Sequence, residues 1–418
     1  MATVDVFNSS LPASIDVSGK LADSPLTVNW LLDILNENDE KYQKFIEHYS
    51  VEKVSAVDIS QGKGFVSKVY KVAIAFIGLP EDYEVIVKVP GIESILEATS
   101  DATGQDSPVQ ADSLALVHNK ECEFYRKYAP HIDIPLVKMY KCVDWIIGEQ
   151  TGALVMESLA GKTASCPLWT GCNLQQTYNV AKHLASFTKY FLCLPAEQWV
   201  GQYDFDVFGS MEDLDFFGPF LEKLKLMKPG VFDHGVEVFS KYKLSMKFYR
   251  YVMCDVAKDA GLPLALSHGD TWANNLLWKK NADGSISNEL AALIDWQIIH
   301  EGCMTSDLAR FITLCTDADL RREHQYAVLQ YFYDTIVNLM KEEGRDVDFT
   351  YDQMKYAYQV SCAYQTMHLM ILGPFLFPSI SEEEPIKNAQ LEKVLLRAQF
   401  AMEDALEVLE SIPDNKLL

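Results

Sequence analysis

Two short stretches decide how this chain reads: LALSHGDTWANNLLWKK at residues 264–280 and ELAALIDWQ at residues 289–297. In the first, an apolar run feeds into His268, Gly269 and Asp270, and Asn275 stands five positions beyond the aspartate. In the second, an apolar run ends at Asp295, 25 positions after Asp270. Short apolar runs bounded by turn residues read as buried strands. Two carboxylates and an amide therefore arrive from strand ends on one cluster of loops. That donor set suits Mg2+, a hard cation that takes oxygen ligands and completes its shell with substrate phosphates. Taken singly, Asp270 and Asn275 are also the residue types that cap turns. The pattern HGDxxxxN followed by an apolar run and IDW is more specific, because two separately placed loops must agree.

Upstream of this island, residues 51–90 read as three strands, VEKVSAVDIS, FVSKVYKVAIAFIG and EVIVKVP, rich in Val and Ile and punctuated by Gly and Pro. Three in a row predict an antiparallel meander. Residues 27–49 carry Trp30, Leu31, Ile34 and Leu35 at helical spacing, which predicts one helix beside that sheet. The polar stretch 92–112, with Gly104, Ser107 and Pro108, predicts a mobile loop, followed by a charged helix near 114–128. Residues 135–145 and 151–157 are again strand-like, and the second ends at Glu157, where the chain is expected to cross to a second lobe. Beyond it the pattern changes to amphipathic helices around 173–191, 212–227, 232–260, 319–343, 351–372 and 384–411. The expected layout is α+β: a region 1–50 with the first helix, an N-terminal antiparallel sheet lobe over 51–158, and a larger helical C-terminal lobe over 159–418.

The sheet lobe supplies parts suited to phosphate. Gln61-Gly62-Lys63-Gly64-Phe65 lies between two strands, where glycines let backbone amides approach phosphate oxygens, although GxG alone is also a plain hairpin turn. Lys88, in EVIVKVP, shares a strand face with Ile86, and an inward lysine there needs a counter-charge from Glu121 or Glu123 on the following helix. The competing reading is an edge-strand lysine facing water. Gly161-Lys162-Thr163 looks like the end of a Walker A loop, but Met156 occupies the position of its first glycine, and the tripeptide is read as chance. HExxH, GxSxG and a strand-following GxGxxG are all absent, which leaves metalloprotease, serine hydrolase and dinucleotide-binding readings without support.

Composition narrows the class further. The 418 residues are 49% hydrophobic, enough for a sizeable core, and Lys+Arg 36 against Asp+Glu 59 gives a formal charge of −23. Such a balance argues against a nucleic-acid partner or an anionic membrane surface. The nine cysteines, with no CxxC spacing, read as reduced and mostly buried thiols. Residues 1–27 lack the basic start and apolar core of a secretory leader, so a cytoplasmic location is expected. The longest apolar stretch, 367–377, is interrupted by His368, Gly373 and Pro374, and it falls short of the roughly 20 residues of a membrane span.

Taken together, SHGDTWANNLLW, ALIDWQ and TSDLARF resemble the catalytic loop, metal-binding segment and trailing helix of the aminoglycoside phosphotransferase and choline kinase superfamily. GKGFVSKVYKV, ECEFYRKYAP, VMESLAG and the VDFTYDQ segment at 347–353 are similar to the CHK kinase-like (ecdysteroid kinase-like) group and its nematode branch. The resemblance covers roughly residues 50–410. It implies a bilobal protein-kinase-like fold with ATP held between the lobes, and an ATP- and Mg2+-dependent phosphotransferase acting on a hydroxyl of a small molecule. The acceptor it implies is a steroid, a xenobiotic glucoside or a choline-like alcohol. By the same resemblance Asp270 is the catalytic aspartate, Asn275 and Asp295 are the metal ligands, Lys88 is the phosphate-binding lysine and Glu121 its helix partner. Gly62 and Gly64 belong to the phosphate loop, with Ser67 standing where protein kinases have a third glycine, and Glu157 to Leu159 form the adenine-binding hinge. His268 is expected to order the loop, and Asp307 to brace it from behind through its backbone. Trp272, Trp199, Tyr203 and Trp296 are candidate acceptor-pocket lining, with core packing as the alternative for each. A different class, a catalytically silent kinase-like protein that binds nucleotide or a small ligand, is disfavoured by the joint presence of Asp270, Asn275, Asp295, Lys88 and Glu121. Protein kinase activity is disfavoured by the lack of HRD, DFG and APE signatures.

Overall fold

The computed structural model describes residues 16–60, 67–91, 111–204, 215–377 and 384–418. It divides into two compact units, one of residues 1–128 and 137–160 and the other of residues 129–136 and 161–418. The first contains helices α1 (Val28–Asn38) and α2 (Glu40–His48), strands β1 (Val51–Asp58), β2 (Ser67–Phe76) and β3 (Tyr83–Pro90), helix α3 (Ala111–Lys127), and strands β4 (Met139–Val143) and β5 (Ala153–Glu157). The strands form one antiparallel sheet in the order β1-β2-β3-β5-β4, so the expected meander is present and the later pair adds to its β3 edge.

Side-chain alternation explains this sheet. Tyr70, Val72, Ile74 and Phe76 of β2 and Tyr83, Val85, Val87 and Val89 of β3 point to one face, where they form a core with Leu31, Leu32, Leu35 and Tyr42 of α1 and α2. The opposite face of β3 carries Glu84, Ile86 and Lys88. Helix α3 packs on the sheet at β3 and β4.

The single helix expected over 27–49 is two, broken at Asp39. Asp39 is fully buried and leaves the helical region at φ −127° and ψ 102°. Its carboxylate accepts from the Lys41 amide at 3.2 Å and from the Tyr83 hydroxyl, and it lies 3.5 Å from the Lys138 ammonium. A buried carboxylate must be satisfied, and leaving the helix at this point is what gives it these partners.

The second unit holds a small strand β6 (Thr163–Ala164) and helices α4 (Leu174–Cys193), α5 (Gly218–Met227), α6 (Asp233–Ser240), α7 (Met246–Arg250) and α8 (Val256–Ala260). There follow strands β7 (Ala265–Ser267), β8 (Leu276–Lys280), β9 (Ile286–Leu293) and β10 (His300–Gly302), and then helices α9 (Ser306–Cys315), α10 (Ala318–Glu342), α11 (Tyr351–Leu376), α12 (Pro385–Ser411) and α13 (Asp414–Leu417). Strands β6, β8 and β9 pair as one small sheet, and β7 with β10 as another. The helix expected over 232–260 is interrupted, because Ser245 takes an N-cap role, its hydroxyl accepting from the Phe248 amide at 3.1 Å. A π turn at Tyr251–Asp255 then joins α7 to α8. Helix α11 runs past the predicted end at 372 and carries Pro374 inside it. A Cβ at Gly373 would stand 2.9 Å from the Leu395 side chain, so the glycine lets α11 and α12 approach closely. All nine cysteines are unpaired and none is exposed. Among the described residues no helix is long and apolar enough to cross a membrane.

The α1 contact with the sheet should dominate the stability of the first unit. Leu31 is wholly buried at its centre. Leu31→Ala is expected to cost about 2–5 kcal/mol, read as a lowered midpoint in urea unfolding followed by circular dichroism.

Candidate active site

The chain leaves β7 through His268, Gly269 and Asp270. Gly269 sits at φ +86°, and a Cβ there would lie 2.5 Å from the Ile298 carbonyl oxygen, so both conformation and space require glycine. Asp307, in the first turn of α9, holds this turn from behind. Its Oδ2 accepts from the His268 amide at 2.7 Å, and its Oδ1 accepts from the Gly269 amide at 2.9 Å and the Thr271 hydroxyl at 3.1 Å. A helix N-terminus favours the negative charge.

His268 is completely buried and faces the ring of Trp296 edge-on at 4.4 Å. Its Nε2 lies 3.0 Å from the Ile294 carbonyl, and its Nδ1 lies 3.1 Å from the Asp270 amide nitrogen. A carbonyl only accepts and an amide only donates, so this network assigns the proton to Nε2. Burial pushes the imidazole below its ordinary pKa, which keeps it neutral in that tautomer.

Ile294 ties the two motif loops together. Its carbonyl accepts from His268, while its amide donates to the Asn275 carbonyl at 3.0 Å. Asp295 follows immediately, at φ +70°, an unusual conformation for a residue with a Cβ and one tolerated where the surroundings fix it. The Asn275 amide group donates to the Asp270 carbonyl at 2.9 Å and to its Oδ2 at 2.8 Å. With Nδ2 so used, Oδ1 is the atom of Asn275 suited to a cation.

Asp270 takes a second bond that the sequence reading did not anticipate. Arg310, one helical turn beyond Asp307, donates from Nη2 to Asp270 Oδ1 at 2.5 Å, while its Nη1 donates to Gln365 of α11 at 2.9 Å. Burial raises the Asp270 pKa; the Arg310 guanidinium opposes this, and the negative Asp295 reinforces it. The signal for Arg310 was present in TSDLARF, since i and i+3 positions share a helix face.

In the other unit Lys88 and Glu121 form a buried ion pair at 2.7 Å, their side chains 10% and 2% exposed. Lys88 thus lies on the face it shares with Ile86, and its partner is Glu121; Glu123 instead pairs with Lys127 at the surface, at 3.4 Å. Glu157 ends β5, and its carboxylate accepts from the Lys138 amide at 2.7 Å. Leu159 is half-buried in the segment that follows. Gly62 and Gly64 lie outside the described residues, as does most of the loop expected over 92–112, of which only Ala111 and Asp112 are seen, at the start of α3. The aromatic candidates divide. Trp199, Tyr203 and Trp296 are core residues at 3%, 0% and 0% exposure, Trp199 packing on Phe191 and Trp296 on Phe187. Trp272 is half-buried. Gly161-Lys162-Thr163 enters β6, with no helix behind it to make a phosphate loop.

An antiparallel sheet followed by a helical region, which here carries the HGD and IDW loops, is a kinase-like fold. The chain matches the structure of choline kinase from Cryptosporidium parvum Iowa II over 93% of its own length and 98% of that chain, with a TM-score of 0.51 and 11% identity. More narrowly, the chain belongs to the nematode family described as "Uncharacterized oxidoreductase dhs-27", whose model matches residues 47–413. The Caenorhabditis elegans protein of that description is 27% identical over 394 residues, covering 90% of this chain and 46% of that protein. An "Uncharacterized kinase-like protein D1044.1" of the same organism is 30% identical over 99 residues, 24% of either chain. This chain therefore spans about half the length of the first relative.

The buried pair should behave as a unit. Lys88→Met or Glu121→Leu alone leaves the other charge buried and is expected to cost about 3–5 kcal/mol. The double variant should recover much of that loss in a double-mutant cycle of urea unfolding.

Histidines that are wholly or partly buried set a second expectation. Burial pushes His118 and His183 down to about 4 and His368 down to about 3. A folded pKa below the unfolded value of about 6.5 means that the neutral form is stabilising above that pH and that this contribution is lost as the pH falls towards 4. The unfolding free energy should decline over that window, and the titration of these imidazoles by NMR should occur well below pH 6.

Proposed function

We propose that this protein is an ATP- and Mg2+-dependent phosphotransferase that transfers the γ-phosphoryl group to a hydroxyl of a small molecule. The observation that carries this reading is the Asp270 carboxylate, half-buried and hydrogen-bonded to Asn275 within a loop braced by Asp307 and joined through Ile294 to Asp295. Phosphoryl transfer asks a protein mainly for positioning and charge neutralisation. In this reading Asp270 orients the acceptor hydroxyl and takes its proton as the oxygen attacks phosphorus. His268, held neutral, fixes the Asp270 backbone and takes no proton itself.

Asn275 Oδ1 and the Asp295 carboxylate fit a hard cation that keeps only a few protein ligands. Among the described residues no group of three or more His, Cys, Asp or Glu side chains could hold a metal by itself, which suits an ion whose remaining ligands are phosphate and water. Mg2+, when bound, neutralises phosphate charge. Lys88, fixed by Glu121, serves the α- and β-phosphates, with the amides of Gly62 and Gly64 beside them, and the segment Glu157 to Leu159 serves adenine through its backbone. In a chain of net charge −23, a polyanionic nucleotide requires groups of this kind to offset its phosphate charge.

The phosphotransferase reading is supported by the likeness in fold to the choline kinase of C. parvum, a small-molecule kinase by name. The word oxidoreductase, carried by the C. elegans relative, finds no glycine-rich dinucleotide fingerprint in these residues to attach to. The acceptor is an alcohol of the steroid, xenobiotic glucoside or choline-like classes, and the location is cytoplasmic.

ADP release by purified protein with MgATP, screened over steroid, glucoside and amino-alcohol acceptors, tests the proposal. Acceptor-stimulated turnover is expected, and Asp270→Ala should reduce it by at least about 100-fold. Turnover that no acceptor stimulates, or that is equal in the variant, refutes it.

A further inference from the structure

The Asp270 carboxylate is held at both oxygens, by Asn275 at Oδ2 and by Arg310 at Oδ1. Arg310 lies three residues after Asp307 on α9, so one helix grips the catalytic loop twice: a carboxylate binds its backbone and a guanidinium binds its functional side chain. The guanidinium is itself anchored from a third element. Gln365 of α11, 3% exposed, accepts from Nη1, and α9 and α11 meet again where Thr305 and Ser361 hydroxyls lie 3.1 Å apart.

The third nitrogen of Arg310 is informative. Nε is buried and has no hydrogen-bond partner. A charge needed only to balance Asp270 could come from a lysine, without burying an unmet donor. A planar fork that spans Asp270 and Gln365 at fixed separation cannot. With Nη1 and Nη2 engaged and Nε closed off from solvent, Arg310 acts through Asp270. We propose that Arg310, anchored by Gln365, is a positioning residue that fixes the rotation of the Asp270 carboxylate towards the acceptor hydroxyl. This rests on the phosphotransferase reading above.

The test uses full-length protein, MgATP and whichever acceptor the screen shows to be turned over. Arg310→Gln is expected to lower kcat on the order of 10–100-fold, as misplacement of a reacting group does, while KM for ATP stays within about 2-fold. A KM change of that small size separates positioning from general damage, and equal melting temperatures check the fold. Arg310→Lys should recover little, because an ammonium cannot span both partners. Gln365→Leu should give a smaller loss of the same kind. In an Asp270→Ala background, Arg310→Gln should add almost nothing, since both act through one carboxylate.

Absence of any turnover by the wild-type protein refutes the phosphotransferase reading, and this inference falls with it. A turning-over wild type with an unaffected Arg310→Gln, a fully active Arg310→Lys, or a further loss in the Asp270→Ala background refutes the positioning role alone.

Discussion

One carboxylate organises the helical unit. Asp307 accepts three hydrogen bonds, from the amides of His268 and Gly269 and the hydroxyl of Thr271, and it does so from the first turn of a helix, where negative charge is favoured. With the backbone of His268 and Gly269 fixed in this way, the imidazole can reach Ile294, and Ile294 can reach Asn275. Each step uses a main-chain group that would otherwise be buried unsatisfied. The result is a braced loop on which the Asp270 carboxylate is oriented by two side chains, Asn275 and Arg310.

The sheet unit solves a different problem. Lys88 lies on a strand whose other face is committed to a hydrocarbon core, and its charge is balanced by a glutamate from a helix laid against the sheet. Such a pair is poor evidence for stability, because desolvation offsets most of the attraction. Its retention makes sense as a device for holding an ammonium at one place and in one direction.

Much of this was legible in the sequence, for identifiable reasons. The meander showed itself through runs rich in Val and Ile punctuated by Gly and Pro, and the Lys88 face followed from alternation within the third run. The loop at 268–270 was visible because HGDxxxxN and a later apolar run ending in IDW occur together in the sequence. What could not be read depended on tertiary partners. The break at Asp39 exists because Tyr83 and Lys138 reach it from distant parts of the chain. The bond from Arg310 to Asp270 joins positions 40 residues apart, and its anchor Gln365 is 55 further on. Trp199, Tyr203 and Trp296 had the composition of a binding pocket, yet the core took them.

The Lys88–Glu121 pair also bears on how the chain can vary in length. The two residues are 33 apart in sequence, and the bond between them closes the segment that includes residues 92–110. The entropy of closing such a segment grows only with the logarithm of its length, about 0.6 kcal/mol for each doubling. Relatives of this chain can therefore insert or delete residues between β3 and α3 at little energetic cost to the ion pair. That stretch is where length differences among them should accumulate first.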